Sequence, residues 1–249
     1  MVSERELVEK WHTQVFRSAD EEIRRLLTQF PDRRQLSIPF TQCGVDYRFT
    51  APLVSDPDRT LEAGRQALEE VVENEFDGVE GSVEADDRIY LRLTDVPDSV
   101  RYRLESLRAE HLNRLVAVDG TVDSCGDLEP RIVTATFRCE RCDERTTVPQ
   151  RERRLRRRSR CPSCTAVEAL EFDPKRSEYV DSQVIQLRDG GRTLPVSLEH
   201  ELAGSFEPGD ELDVVAIPRG RFDGETTTVD VELECVSAHR HERGRDGDV

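Results

Sequence analysis

Ile132-Val133-Thr134-Ala135-Thr136-Phe137-Arg138-Cys139-Glu140-Arg141-Cys142 is the stretch that decides the fold. Its first seven residues read as a β-strand, and the strand runs without a break into a Cys-x-x-Cys knuckle. A second knuckle, Cys161-Pro162-Ser163-Cys164, follows with eighteen residues between the two. That separation is the spacing of a four-cysteine zinc ribbon. Four thiolates about 2.3 Å from one zinc ion complete a tetrahedron with no position for water, so such a site serves structure and not catalysis. A redox dithiol would use one pair, and disulfides are disfavoured in a reducing cytosol. Cys43, Cys125 and Cys235 lie far from the knuckles in sequence, in apolar or turn contexts, and read as small core residues.

Outward from this stretch the period stays at two. Leu115 to Val122, Ile132 to Arg138, Tyr179 to Leu187, Leu212 to Ile217 and Thr227 to Cys235 read as strands. Gly120, Pro130, Gly190-Gly191 and Pro208-Gly209-Asp210 punctuate them as turns. Short strands over this length predict a five-stranded OB-type barrel spanning 101–136 and 173–238, with the zinc ribbon, 137–172, inserted into it. Upstream, Ser3-x-x-Glu6 reads as a capping box before apolar residues at helical spacing, in one long helix or two abutting ones that stop before Pro31. A second helix is expected from about Pro57 to Phe76, stopped by Asp77-Gly78, and a strand at Ile89 to Leu93. Residues 1–100 thus read as a mainly helical subdomain, and 239–249, without an apolar residue until the final Val249, as a disordered tail. The expected class is α+β with several subdomains and small separate cores.

The 249 residues carry a net charge of −16 with a sequence pI near 4.9. Taken alone, that charge opposes encounter with phosphate. Lysine occurs only at Lys10 and Lys175, the other cations are arginine, and the acids are spread along the chain, which is the composition of a halophile's cytosolic protein. In molar salt the Debye length falls to about 3 Å and only close contacts count, so acidity does not exclude DNA. No apolar run approaches membrane-spanning length and the N-terminus is charged, which predicts a soluble, cytoplasmic protein with no membrane partner.

Two segments could meet a polyanion. Arg151-Glu152-Arg153-Arg154-Leu155-Arg156-Arg157-Arg158-Ser159-Arg160, between the knuckles, is the one dense cationic block. Guanidinium forks suit phosphates or carboxylates, so DNA and subunit contacts both fit, as does a solvated loop paired with acidic neighbours. Pro218-Arg219-Gly220-Arg221-Phe222-Asp223-Gly224-Glu225 reads as the turn of a projecting β-hairpin. Arg219 and Arg221, with Phe222 for base stacking, could touch a nucleic-acid strand, although an ordinary exposed turn has the same look. Nowhere are carboxylates grouped with histidine at metal-site spacing, which argues against a hydrolase or nuclease.

These pieces, in this order, resemble the N-terminal domain of the archaeal minichromosome maintenance (MCM) replicative helicase. The resemblance rests on Leu112 to Val122, Pro130 to Cys139, Arg176 to Gln183 and the turn Phe206 to Leu212, and more loosely on Pro31-Asp32-Arg33-Arg34 and the Ser55-Asp56-Pro57-Asp58 helix start. It covers roughly residues 5 to 237. It implies a helical subdomain, a ribbon and an OB barrel in a hexameric ring around DNA. Carried over by position, Cys139, Cys142, Cys161 and Cys164 match the zinc ligands. Arg219 and Arg221 match an inward-pointing hairpin, and Arg131 lies in a barrel segment that contributes DNA contacts. Together with Arg153, Arg154, Arg156, Arg157 and Arg158 these arginines are the candidate DNA-binding residues.

The chain departs from that family in two respects. It contains no Gly-x-x-x-x-Gly-Lys-Ser/Thr phosphate loop, so no ATPase module and no enzyme activity are expected. The loop Arg188-Asp189-Gly190-Gly191-Arg192 is shorter than the one that signals to the helicase motor. The expected function is single-stranded DNA binding and ring assembly in DNA replication. The alternative is an assembly or regulatory subunit that joins a full-length MCM helicase through protein contacts.

Overall fold

A computed structural model describes residues 2–30, 32–44, 46–75, 89–150, 154–222, 224 and 226–241. Pro31, the Phe76-Asp77-Gly78 helix stop, Arg153 and residues 242–249 of the expected tail lie outside them. The class is α+β, as the sequence predicts. The described residues divide into two compact units, one of 1–124, 185–197 and 207–249, the other of 125–184 and 198–206.

The first unit opens with α1 (Glu4–Lys10), whose N-terminus is capped by the Ser3 hydroxyl accepting from the Glu6 backbone N–H. The helix widens into a π-type segment over Trp11–Phe16, and α2 (Asp20–Thr28) follows after a break. Next come β1 (Gln35–Pro39), α3 (Tyr47–Ser55) and the long α4 (Pro57–Glu75). β2 (Tyr90–Thr94) pairs with β1 in parallel. Sequence periodicity located α4 and β2, but not α3 or β1.

Trp11 organises the helices. Its ring packs near-parallel to Phe16 at 5.6 Å and edge-on to Phe49 at 5.2 Å, and its indole N–H donates to the Thr60 carbonyl at 2.7 Å. Gly64 permits this, since a Cβ there would sit 2.6 Å from the indole.

The barrel strands are β3 (Val116–Cys125), β6 (Leu170–Asp189), β7 (Arg192–Glu199), β8 (Glu211–Arg221) and β9 (Asp230–Arg240). They run in the order β3-β8-β9-β7-β6, and β3 pairs back onto β6 to close the ring. From Val214 to Ile217 β8 is buried on both faces. Leu212, Val214 and Ala216 alternate with Val215 and Ile217, and the latter pair shares one core with Trp11, Ile23, Leu36, Phe49 and Leu68. Helices and barrel strands of this unit therefore share a core, where separate small cores were expected. Two buried polar bonds reinforce the seam: Arg92 donates to the Val236 carbonyl at 2.8 Å, and the Ser237 hydroxyl donates to the Leu93 carbonyl.

The tail expectation needs one correction. His239 and Arg240 close β9, paired with Asp213 and Leu212, because a ladder needs backbone groups and not apolar side chains. Asp119 and Asp213 face each other across β3 and β8, a repulsive pairing relieved by Arg101, which donates to both carboxylates at 2.9–3.0 Å.

The second unit contains β4 (Glu129–Cys139), β5 (Arg145–Pro149) and the N-terminal part of β6, with β4 central and antiparallel to both. Phe137 and Phe172, register partners on β4 and β6, pack at 5.8 Å.

Two tests follow from the first unit. A Cβ at Gly120 would lie 2.8 Å from Leu187 Cγ and 2.9 Å from the Arg188 carbonyl oxygen, where the barrel closes. Gly120→Ala should cost about 1–3 kcal/mol of overpacking, read from the urea midpoint. Asp46 caps α3 and binds Lys10, and the Lys10 hydrogen bond is the main cause that holds its carboxyl down at about 2. This stabilisation is complete above the ordinary carboxylate value of about 3.9 and is lost as pH falls through the lowered one. Asp46→Asn, which can still cap, should therefore melt lower than the parent at neutral pH, with the gap closing toward pH 2. A gap independent of pH would remove the charge from the explanation.

Candidate metal centre and arginine surfaces

β4 delivers Cys139 at its last residue, and the chain then turns through the first knuckle. The Asp143 N–H donates to the Cys139 carbonyl at 2.9 Å, and the Cys139 N–H to the Glu144 carbonyl at 2.8 Å. The second knuckle repeats the pattern: Thr165 N–H to the Cys161 carbonyl at 3.1 Å, Cys161 N–H to the Ala166 carbonyl at 3.0 Å. In both, the residue after the second cysteine has positive φ, 63° at Asp143 and 59° at Thr165. Threonine is an uncommon occupant of that region, so the second turn holds its shape against its own side chain.

These turns bring the four sulfurs within 4.8 Å of one another, with Cys139–Cys164 and Cys142–Cys161 Sγ separations of 3.6 Å. Sulfurs placed tetrahedrally about 2.3 Å from a common ion would lie about 3.8 Å apart, so the cluster has the dimensions of a metal site. Its acid chemistry points the same way. Burial opposes ionisation of Cys139, but the backbone N–H groups of Cys142 and Arg141 outweigh it and lower the thiol to about 7. At Cys142 the Glu144 backbone N–H favours the thiolate, yet burial and the neighbouring cysteines prevail and raise it to about 12. Four thiols this close cannot all ionise without a cation among them, and a divalent ion removes that conflict. Cys43 is different: burial alone pushes it to about 12, the behaviour of an inert core thiol.

The candidate arginines fall into two groups. Arg219, on β8, is only 17% exposed and makes four hydrogen bonds: two to Asp58 at the start of α4, one to Asn113 and one to Glu234 on β9. Burial works against its charge, but these partners more than compensate and hold it firmly protonated. Arg221 donates to the buried Glu232 at 2.8 Å. Arg131, on β4, pairs with Glu199. All three are thus bound by carboxylates of their own unit. Phe222, just past the end of β8, is 66% exposed.

Arg154, Arg156, Arg157 and Arg158 are exposed, and so is Arg160. None has an ion-pair partner among the described residues. Gln150, which sequence reading passed over, anchors this block. Its buried side-chain amide accepts from the Arg156 N–H at 2.7 Å and donates to the Arg156 and Val148 carbonyls at 3.1 and 2.9 Å. A polar residue next to a strand end gives no sequence signal of burial, so only the fold identifies it.

Comparison with known proteins places this geometry. The family described as the MCM OB domain matches residues 103–221. The DNA replication licensing factor mcm2 of Xenopus laevis is 28% identical over 152 residues, 56% of this chain and 17% of that protein. Its counterpart in Schizosaccharomyces pombe is 29% identical over 150 residues, covering 56% and 18%. The mcm4 factor of the same yeast is 31% identical over 127 residues, covering 47% and 14%. The chain thus spans less than a fifth of these curated relatives. The crystal structure of the N-terminal domain of an archaeal MCM superposes with a TM-score of 0.82 at 23% identity, over 96% of this chain and all of that one. Residues 103–221 therefore match the MCM OB domain, in a chain with the fold of an archaeal MCM N-terminal domain.

Proposed function

We propose that these 249 residues bind DNA, single-stranded by preference, and assemble into a ring in the service of DNA replication, performing no catalysis themselves. The observation that carries the reading is the OB domain over 103–221 within an MCM N-terminal fold, supported by relatives named as replication licensing factors. The ring is proposed as a hexamer. The subdomain division is part of the proposal: helical 1–100, barrel 101–136 and 173–238, ribbon 137–172. The arginines that the sequence offers as DNA contacts are Arg131, Arg219, Arg221 and the block with Arg153, Arg154, Arg156, Arg157 and Arg158, and the block is the part of that set with no carboxylate partner among the described residues. One observation favours a second reading, in which the chain joins a full-length MCM helicase through protein contacts: Arg131, Arg219 and Arg221 are engaged within their own unit.

We propose further that Cys139, Cys142, Cys161 and Cys164 hold one structural zinc ion. The all-thiolate donor set and the near-tetrahedral dimensions support zinc. Binding energy at such a site is folding energy for the surrounding turns. Cys142→Ser should abolish stoichiometric zinc, unfold the knuckles and leave the helical circular dichroism in place. A metal-free chain with an unchanged melting profile would sink the structural-zinc proposal.

The DNA proposal is tested by fluorescence anisotropy with a labelled single strand, with sedimentation run in parallel. Saturable binding by an oligomer supports the first reading. A chain that fails to bind DNA yet co-sediments with an MCM helicase supports the second.

A further inference from the structure

We infer that DNA is held on this chain through the phosphate backbone by Arg154, Arg156, Arg157, Arg158 and Arg160, and not by the β8–β9 hairpin. The inference rests on the DNA-binding reading above and names the surface responsible for it.

The hairpin is spent on its own fold. For Arg219 to take a phosphate, the Asp58 and Glu234 carboxylates would have to give it up, and each would be left without its cation. Arg221 is held by the buried Glu232, whose charge would be stranded at greater cost. The loop from Phe222 to Val229 contains Asp223 and Glu225 and neither lysine nor arginine. A polyanion approaching this end gains little and meets like charge.

The block between the knuckles has the opposite properties. In a chain with 52 acidic residues against 36 basic ones, several described arginines elsewhere, Arg65, Arg101, Arg188 and Arg240 among them, find carboxylates. These five do not, among the described residues. Their guanidinium groups are exposed, weakly hydrated and always charged, which suits transfer onto phosphate oxygens. The main chain beneath them is fixed by the Gln150 bonds to Arg156, so the charges are presented from a held backbone.

Five arginines within the seven residues 154–160 concentrate positive charge, which suits a chain of phosphates better than isolated surface carboxylates.

The test uses the full chain and fluorescein-labelled oligodeoxythymidylate, titrated over a range of potassium chloride. The Arg154→Gln/Arg156→Gln/Arg157→Gln/Arg158→Gln variant changes only exposed side chains and should fold. It should bind at least tenfold more weakly, with the slope of log K against log salt reduced by about 3, four single-strand phosphate contacts being lost. Phe222→Ser, at the hairpin, should leave affinity and slope unchanged. Unchanged affinity and slope in the quadruple variant would overturn the assignment while leaving DNA binding intact. A parent that binds no DNA, and whose oligomer dissociates when the four arginines are replaced, would assign the block to carboxylates of a second copy and overturn both. A parent that binds no DNA and keeps its oligomer in the variant would likewise overturn both.

Discussion

From Val214 to Ile217 β8 is buried on both faces, and the first compact unit depends on that. Leu212, Val214 and Ala216 point to one side and Val215 and Ile217 to the other, so a slip of one residue would exchange two buried sets of different size. The strand is held in register by β3 on one edge and β9 on the other. Because one of its faces shares a core with Trp11 and Phe49, the helices cannot unpack without exposing a barrel strand. The cost of that exposure makes the helical segment and the barrel cooperative partners within this unit. Arg219 follows from the same arrangement, since it leaves the end of β8 where α4 begins and finds Asp58 there.

Charge is used in two ways. Several described arginines are fasteners that hold strand ends, helix starts and paired aspartates; Arg101 between Asp119 and Asp213 is the clearest case. Such fasteners let an acidic chain tolerate carboxylates directly opposite each other in a sheet. The block beside the second knuckle stands outside this arrangement. Its backbone is fixed at Arg156 by the Gln150 amide.

Much of this was legible in the sequence. The cysteine cluster follows from spacing alone, because a Cys-x-x-Cys turn is a local structure. α4 and the barrel strands β3, β8 and β9 follow from the period of their apolar residues. β7 went unread although Leu194, Val196 and Leu198 alternate, because Pro195 between them argues against a strand until its outward position is known. α3 was hidden by its internal Pro52, and β5 by its polar sequence. The role of Arg219 could not have been read locally, since its partner Asp58 lies 161 positions away. The resemblance placed that residue on a hairpin but could not say that its charge would be satisfied at home.

Trp11 is the sole tryptophan of the chain, and it sits deep among Phe16, Phe49 and Thr60. Its indole therefore emits from the helix-bearing unit alone, while the unit with the cysteine knuckles has no tryptophan to contribute. Tryptophan fluorescence and the four clustered cysteines thus belong to different units of the molecule. The protein therefore carries a built-in optical reporter for its helical core, without any label being added.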